Sequence, residues 1–227
     1  MKGFIALCLS RIEDIQEAQL QTPIHFAFSY DEEVGCIGVN GLLAELKKKP
    51  IQPRACIIGE PTSMSVINAH KGMLFKRCCV TGKSAHSSMV DQGVNAVTVA
   101  AKTIAYIDGI AERIRNNGPF DDGFSPPYTS LHCGVINGGT ANNIIPNHCQ
   151  FDFEIRHLPD HHPLPIFEEV EQYVDTQLIP NMHSVSKETG VNWQTLAAFP
   201  GLNTPPNSHL VEQVSALLGT HASLGEY

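Results

Sequence analysis

The chain has 227 residues, 42% hydrophobic and 17% charged, a composition that excludes disordered, collagenous and coiled-coil material. Fifteen Lys and Arg against 23 Asp and Glu leave a formal net charge of -8, so neither a nucleic-acid surface nor an anionic-membrane surface is expected. No apolar run reaches spanning length and no charged-then-apolar signal segment follows Met1, so a soluble, cytoplasmic protein is expected.

In chain order, the apolar segment Phe4 to Leu9 is followed by a strand-like run from Ile24 to Ser29, then a helix from about Ile37 to Lys48. A short buried strand, Ala55 to Ile58, comes next, and together these read as a βαβ pattern with a parallel sheet. After Lys71-Gly72 the pattern changes. Strand Leu74 to Thr81, helix Asn95 to Ile114, strands Thr129 to Asn137 and Cys149 to Arg156, helix Pro165 to Ile179 and strand Val191 to Ala197 follow one another. That β-α-β-β-α-β order is the ferredoxin-like arrangement, an antiparallel sheet with both helices on one face. Its loop from Asn116 to Pro127 is rich in Gly, Pro, Asn and Asp and is expected to be exposed. From Pro205 a further amphipathic helix begins, with Leu210, Val214, Leu217 and Leu218 at helical spacing. The expected organisation is a first domain over 1–71, an inserted domain over 72–200 and a return segment over 201–227.

Seven cysteines fall at neither disulfide-scaffold nor zinc-knuckle spacings, so buried free thiols are expected. Asp31-Glu32-Glu33 leaves the Ile24 to Ser29 run, and Gly59-Glu60-Pro61-Thr62 leaves the next short strand. Parallel neighbours would bring Glu33 and Glu60 to one sheet edge, where carboxylates repel unless a cation lies between them. The other reading is an acidic surface turn. His86 sits among Ser84, Ser87 and Ser88 in a loop. Asn142-Asn143 and Arg156 can equally be a simple turn and a strand-end arginine. His157, His161 and His162 read as a surface loop, and His25 as a core histidine.

Several stretches carry a resemblance. They are Phe28-Ser-Tyr-Asp-Glu-Glu-Val-Gly, Ile57-Ile-Gly-Glu-Pro-Thr, Ala69-His-Lys-Gly, Gly82-Lys-Ser-Ala-His-Ser-Ser, Gly93-Val-Asn-Ala and Ile155-Arg-His-Leu-Pro. In this order they resemble the acetylornithine deacetylase and succinyl-diaminopimelate desuccinylase family of dizinc amidohydrolases, from Met1 to about Gly219. The resemblance implies an α/β zinc-peptidase-like catalytic domain, incomplete here, carrying an inserted ferredoxin-like dimerisation domain. It implies Glu32 as general base, Glu33 and Glu60 as terminal ligands of two divalent metals, zinc or cobalt, and His86 acting in the partner subunit's active site on the developing oxyanion. Asn143 and Arg156 then bind substrate, Arg156 through its carboxylate. The implied activity is hydrolysis of a small N-acyl amino acid, N-acetyl-L-ornithine in arginine biosynthesis foremost, by a homodimer paired through the inserted domain. A desuccinylase, an aminoacylase, a dipeptidase and a non-catalytic dimerisation fragment stay open. The family pattern also expects a His and a bridging Asp ahead of Met1-Lys2-Gly3 and a His beyond the last residue. By that reading this chain is a fragment, inactive alone, holding two of five metal ligands.

Overall fold

The computed structural model describes residues 2–33 and 35–225; Met1 and the final Glu226 and Tyr227, which entered the reading of the two ends, and Val34 lie outside them. In chain order the elements are helices α1 (Lys2–Ser10), α2 (Ile12–Glu17) and α3 (Val39–Lys48), strands β1 (Val66–His70) and β2 (Gly72–Thr81), then α4 (Ala96–Asn117), β3 (Ser130–Gly138) and β4 (His148–His157). There follow α5 (Leu164–Tyr173), a wide turn Val174–Leu178 running into α6 (Ile179–Val185), β5 (Gly190–Phe199), β6 (Leu202–Asn203), α7 (His209–Leu218) and β7 (Ala222–Leu224). Two compact units result, one of Met1–Ile67 with Pro205–Ser223, the other of Asn68–Thr204 with Leu224–Tyr227.

The second unit is built on a four-stranded antiparallel sheet in the order β3-β4-β2-β5. Period-two patterning explains it. Along β4, Cys149, Phe151, Phe153 and Ile155 are fully buried, while Gln150, Glu154 and Arg156 on the other face are half-buried. Leu74, Cys78 and Val80 of β2 lie on the same buried face, opposite Ile155, Phe151 and Cys149. Helix α4 covers that face with Val99, Ala100, Thr103, Ile107, Ile110 and Ile114, spaced three and four apart. Its start is set by Asn95, whose side chain accepts the Thr98 N–H at 3.0 Å, and its end by Gly118 at φ 76. Phe153, Phe167 and Trp193 pack edge and face at 5.3–6.3 Å between ring centres, joining α5 to the sheet. Burying each such ring contributes roughly 2–3 kcal/mol.

A smaller sheet, in the order β6-β1-β7, carries antiparallel pairs Ala69 with Asn203 and His70 with Leu202. None of its strands was expected. Each is five residues or fewer, too short for a periodic signal.

The first unit departs from the expected βαβ. Phe4 to Leu9 lies in helix α1, Ile24 to Ser29 forms no strand, and Ala55 to Ile58 is exposed coil. A strand needs neighbours to take its N–H and C=O groups. Among the described residues none pairs with these runs, so Phe26, Phe28, Ile57 and Ile58 remain exposed. The α3 expectation agrees closely with Val39–Lys48. The cysteines are all free, but only Cys78 and Cys149 are buried, and Cys56 is exposed.

Candidate functional site

In the first unit Asp31-Glu32-Glu33 forms a tight turn, with Asp31 at φ 54 and the Glu32 carbonyl accepting from the N–H groups of Gly35 at 3.1 Å and Cys36 at 2.9 Å. Gly38, at the start of α3, lies so close to the Tyr30 carbonyl that any Cβ would collide with it. Glu32, Glu33 and Glu60 are all exposed. Burial pushes the Cys36 thiol up, and Glu32 and Glu60 push it further, so the two acidic loops act on one sulfur. Glu32 Oε1 lies 3.9 Å from that sulfur. Among the described residues no three His, Cys, Asp or Glu side chains come together as a metal-holding group.

In the second unit His86 and Asn143 are brought together. The loops that carry them are joined by Ser87 N–H to Asn143 O at 3.0 Å and Ile145 N–H to Ala85 O at 2.9 Å, with His86 paired to Ile144. Both side chains are exposed. This junction sits where the chain enters β4, since Gly82 N–H donates to Asn147 O at 2.8 Å.

Arg156 stands at the far end of the same strand, on its open face, opposite Met73 and Ser130. Its Nε donates to Glu154 Oε2 at 3.2 Å, and among the described residues its two terminal nitrogens make no hydrogen bond. The eight steps of antiparallel strand from His148 to Arg156 amount to about 27 Å.

Two other groups came to light only in three dimensions. Lys71 is 5% exposed, and its ammonium donates to the carbonyls of Pro126 and Tyr128, both at 2.7 Å, tying down the loop expected to be simply exposed. Burial lowers its proton affinity. The histidine cluster is not a surface loop: His157 is buried at the end of β4, His161 is half-buried against Thr129, and only His162 is exposed. Burial, then His157, holds the His161 imidazolium down. His25, expected in the core, is exposed because its run forms no strand.

Residues 68–182, half of the chain, match the peptidase dimerisation domain of the M20 family. The chain belongs to the M20 peptidase dimerisation family. It is 31% identical over all 227 residues to an acetylornithine deacetylase of Shigella sonnei, covering 57% of that protein. A Staphylococcus aureus tripeptidase superposes with a TM-score of 0.65 at 22% identity, over 97% of this chain and 55% of its own. Aminopeptidase PepT of Bacillus cereus gives 0.60 at 22% identity, over 88% and 49%. These two likenesses show a shared fold. The chain spans about half the length of the relatives it matches.

Proposed function

We propose that this chain is part of a metal-dependent amide hydrolase that removes acetate from N-acetyl-L-ornithine, in the cytoplasm and in arginine biosynthesis, as a homodimer. The identity to a deacetylase of that name supports the substrate. One observation supports the site: His86 and Asn143 lie together where the chain enters β4, and Arg156 lies near the other end of that strand, about 27 Å of ideal strand from His148. No N-acyl amino acid bridges that span. His86 and Asn143 therefore serve a substrate held by Arg156 of a second copy, a placement that the family resemblance implies for His86.

In this reading Arg156 grips the substrate carboxylate through its two terminal nitrogens, since Glu154 occupies Nε. His86 and Asn143 of the partner donate to the carbonyl oxygen as charge develops there. Glu32 takes a proton from the attacking water and passes it to the leaving amine. Glu33 would help hold one of the two metals, zinc or cobalt, and Glu60 the other. Two carboxylates fall short of a closed donor set, in keeping with the lack of a metal-holding group among the described residues. When bound, the metals supply an acidic water and polarise the amide carbonyl. Pairing uses the edge of β3, where Val135 and Ile136 are about half exposed, beside α4.

Steady-state hydrolysis of N-acetyl-L-ornithine, N-succinyl-diaminopimelate, acyl amino acids and dipeptides by the zinc- or cobalt-loaded enzyme tests the substrate. Preference for anything but the first refutes it. The second reading, a dimerisation module without catalysis, is favoured by the family match to 68–182 and the same lack of a metal group. Calorimetry decides between them: tight binding of two zinc ions excludes the module.

A further inference from the structure

We propose that Ser88 is a positioning residue that fixes the His86 imidazole in the tautomer protonated at Nε2. The inference rests on the reading of His86 as the oxyanion donor. Ser88 approaches the ring twice. Its backbone N–H donates to His86 Nδ1 at 3.2 Å, and its Oγ lies 2.8 Å from the same nitrogen. A hydroxyl can turn to suit either tautomer, but a backbone N–H can only donate. Nδ1 is therefore an acceptor, without a proton, and a neutral ring must carry its proton on Nε2. The hydroxyl then turns to donate as well.

The loop enforces this contact. Met89 N–H closes a turn onto His86 O at 2.8 Å, which brings Ser88 back over the ring, and the backbone bonds to Asn143 and Ile145 hold the loop from the other side. The chemical consequence lies at the outer nitrogen. With the proton on Nε2 the ring offers a donor to a developing oxyanion, whereas the other tautomer would present a lone pair and repel it.

The same unit contains the opposite arrangement. His70 Nδ1 lies 2.8 Å from Lys71 O and His157 Nδ1 lies 2.9 Å from Leu158 O. A carbonyl can only accept, so both rings carry their proton on Nδ1 when neutral. Three histidines in one domain thus divide by the partner of Nδ1.

The test is long-range proton–nitrogen correlation on the chain labelled with 15N-histidine, at a pH well above the ordinary histidine value of about 6.5. His86 should show a pyridine-like Nδ1 and a pyrrole-like Nε2, and His70 and His157 the reverse. Ser88→Ala removes one of the two donors and should raise the Nδ1-protonated fraction of His86 alone, with Ser88→Thr restoring it. In the metal-loaded enzyme Ser88→Ala should lower kcat about two- to tenfold, the worth of one hydrogen bond, with KM little changed. A pyrrole-like Nδ1 at His86, or a tautomer ratio that Ser88→Ala leaves unmoved, overturns the assignment. If the spectra behave as expected but His86→Ala keeps full turnover, the Ser88 assignment holds and the oxyanion reading of His86 is what fails.

Discussion

Glu32 and Glu33 are sequence neighbours with different proposed tasks, and among the described residues the turn gives only Glu32 a defined setting, its carbonyl taking two N–H groups and its carboxylate facing Cys36. Glu32→Gln keeps shape and hydrogen bonding but removes the base, so kcat should fall by about 10²–10⁴ with bound metal unchanged. Glu33→Gln should instead weaken metal binding. Metal analysis beside the rates checks both, and near-normal turnover in Glu32→Gln would reverse the two roles. Lys71 poses a different question, that of a buried cation held only by carbonyl oxygens. Lys71→Met leaves Pro126 O and Tyr128 O without their donor and should cost about 2 kcal/mol or more. Because burial lowers the folded-state proton affinity, the unfolded chain binds more protons in the window below the ordinary lysine value of about 10.4. Stability should therefore rise with pH through that window in the native chain and lose this increment in Lys71→Met. Urea midpoints at about pH 8 to 10 read it directly.

Among the elements, those of the second unit were legible because each closes its hydrogen bonds and its apolar face inside that unit. The alternation in Cys149 to Arg156 and the three-and-four spacing from Val99 to Ile114 meet each other across one core. The boundaries of β4 (His148–His157) and α4 (Ala96–Asn117) moved by one to three residues, whereas the helix expected over Pro165 to Ile179 is divided into α5 (Leu164–Tyr173), the wide turn Val174–Leu178 and α6 (Ile179–Val185). The Ile24 to Ser29 and Ala55 to Ile58 runs have the composition of buried strands, but composition cannot supply partners, and without them the runs stay open. The contacts of Lys71, His157 and Ser88 were illegible for another reason: each depends on a carbonyl or N–H placed by the turn of the chain, which leaves no mark in residue type. Edge strands carry the next expectation. In the sheet order β3-β4-β2-β5 both β3 and β5 are edges, but only β3 presents adjacent exposed aliphatics, Val135 and Ile136. Val135→Lys should convert the dimer to monomer in sedimentation, since a charge on a pairing edge opposes association. Gln194→Lys on β5 should leave it dimeric, and the opposite result would move the interface to β5.

For the molecule as a whole, apolar side chains from Phe4 to Met64 are exposed in the first unit, whereas the second unit holds nearly all of the buried core. In the proposed homodimer a symmetric pair of chains exchanges the same surface in both directions, so each copy would lend His86 and Asn143 and keep Arg156. Two inactive variants then become complementary. His86→Ala chains retain Arg156, and Arg156→Ala chains retain His86. In a mixed dimer one of the two sites receives Arg156 from the first chain and His86 from the second, and is whole, while the other site lacks both. Random mixing makes about half of the dimers mixed, each with one working site, so activity should return to about a quarter of the native value from two preparations that are each nearly dead. Recovery requires subunit exchange, which a pulse of mild denaturant before mixing provides. The counter-case is sharp: if His86 and Arg156 served the same copy's site, every mixed dimer would carry one defect in each site, and no activity would return at any ratio of the two variants.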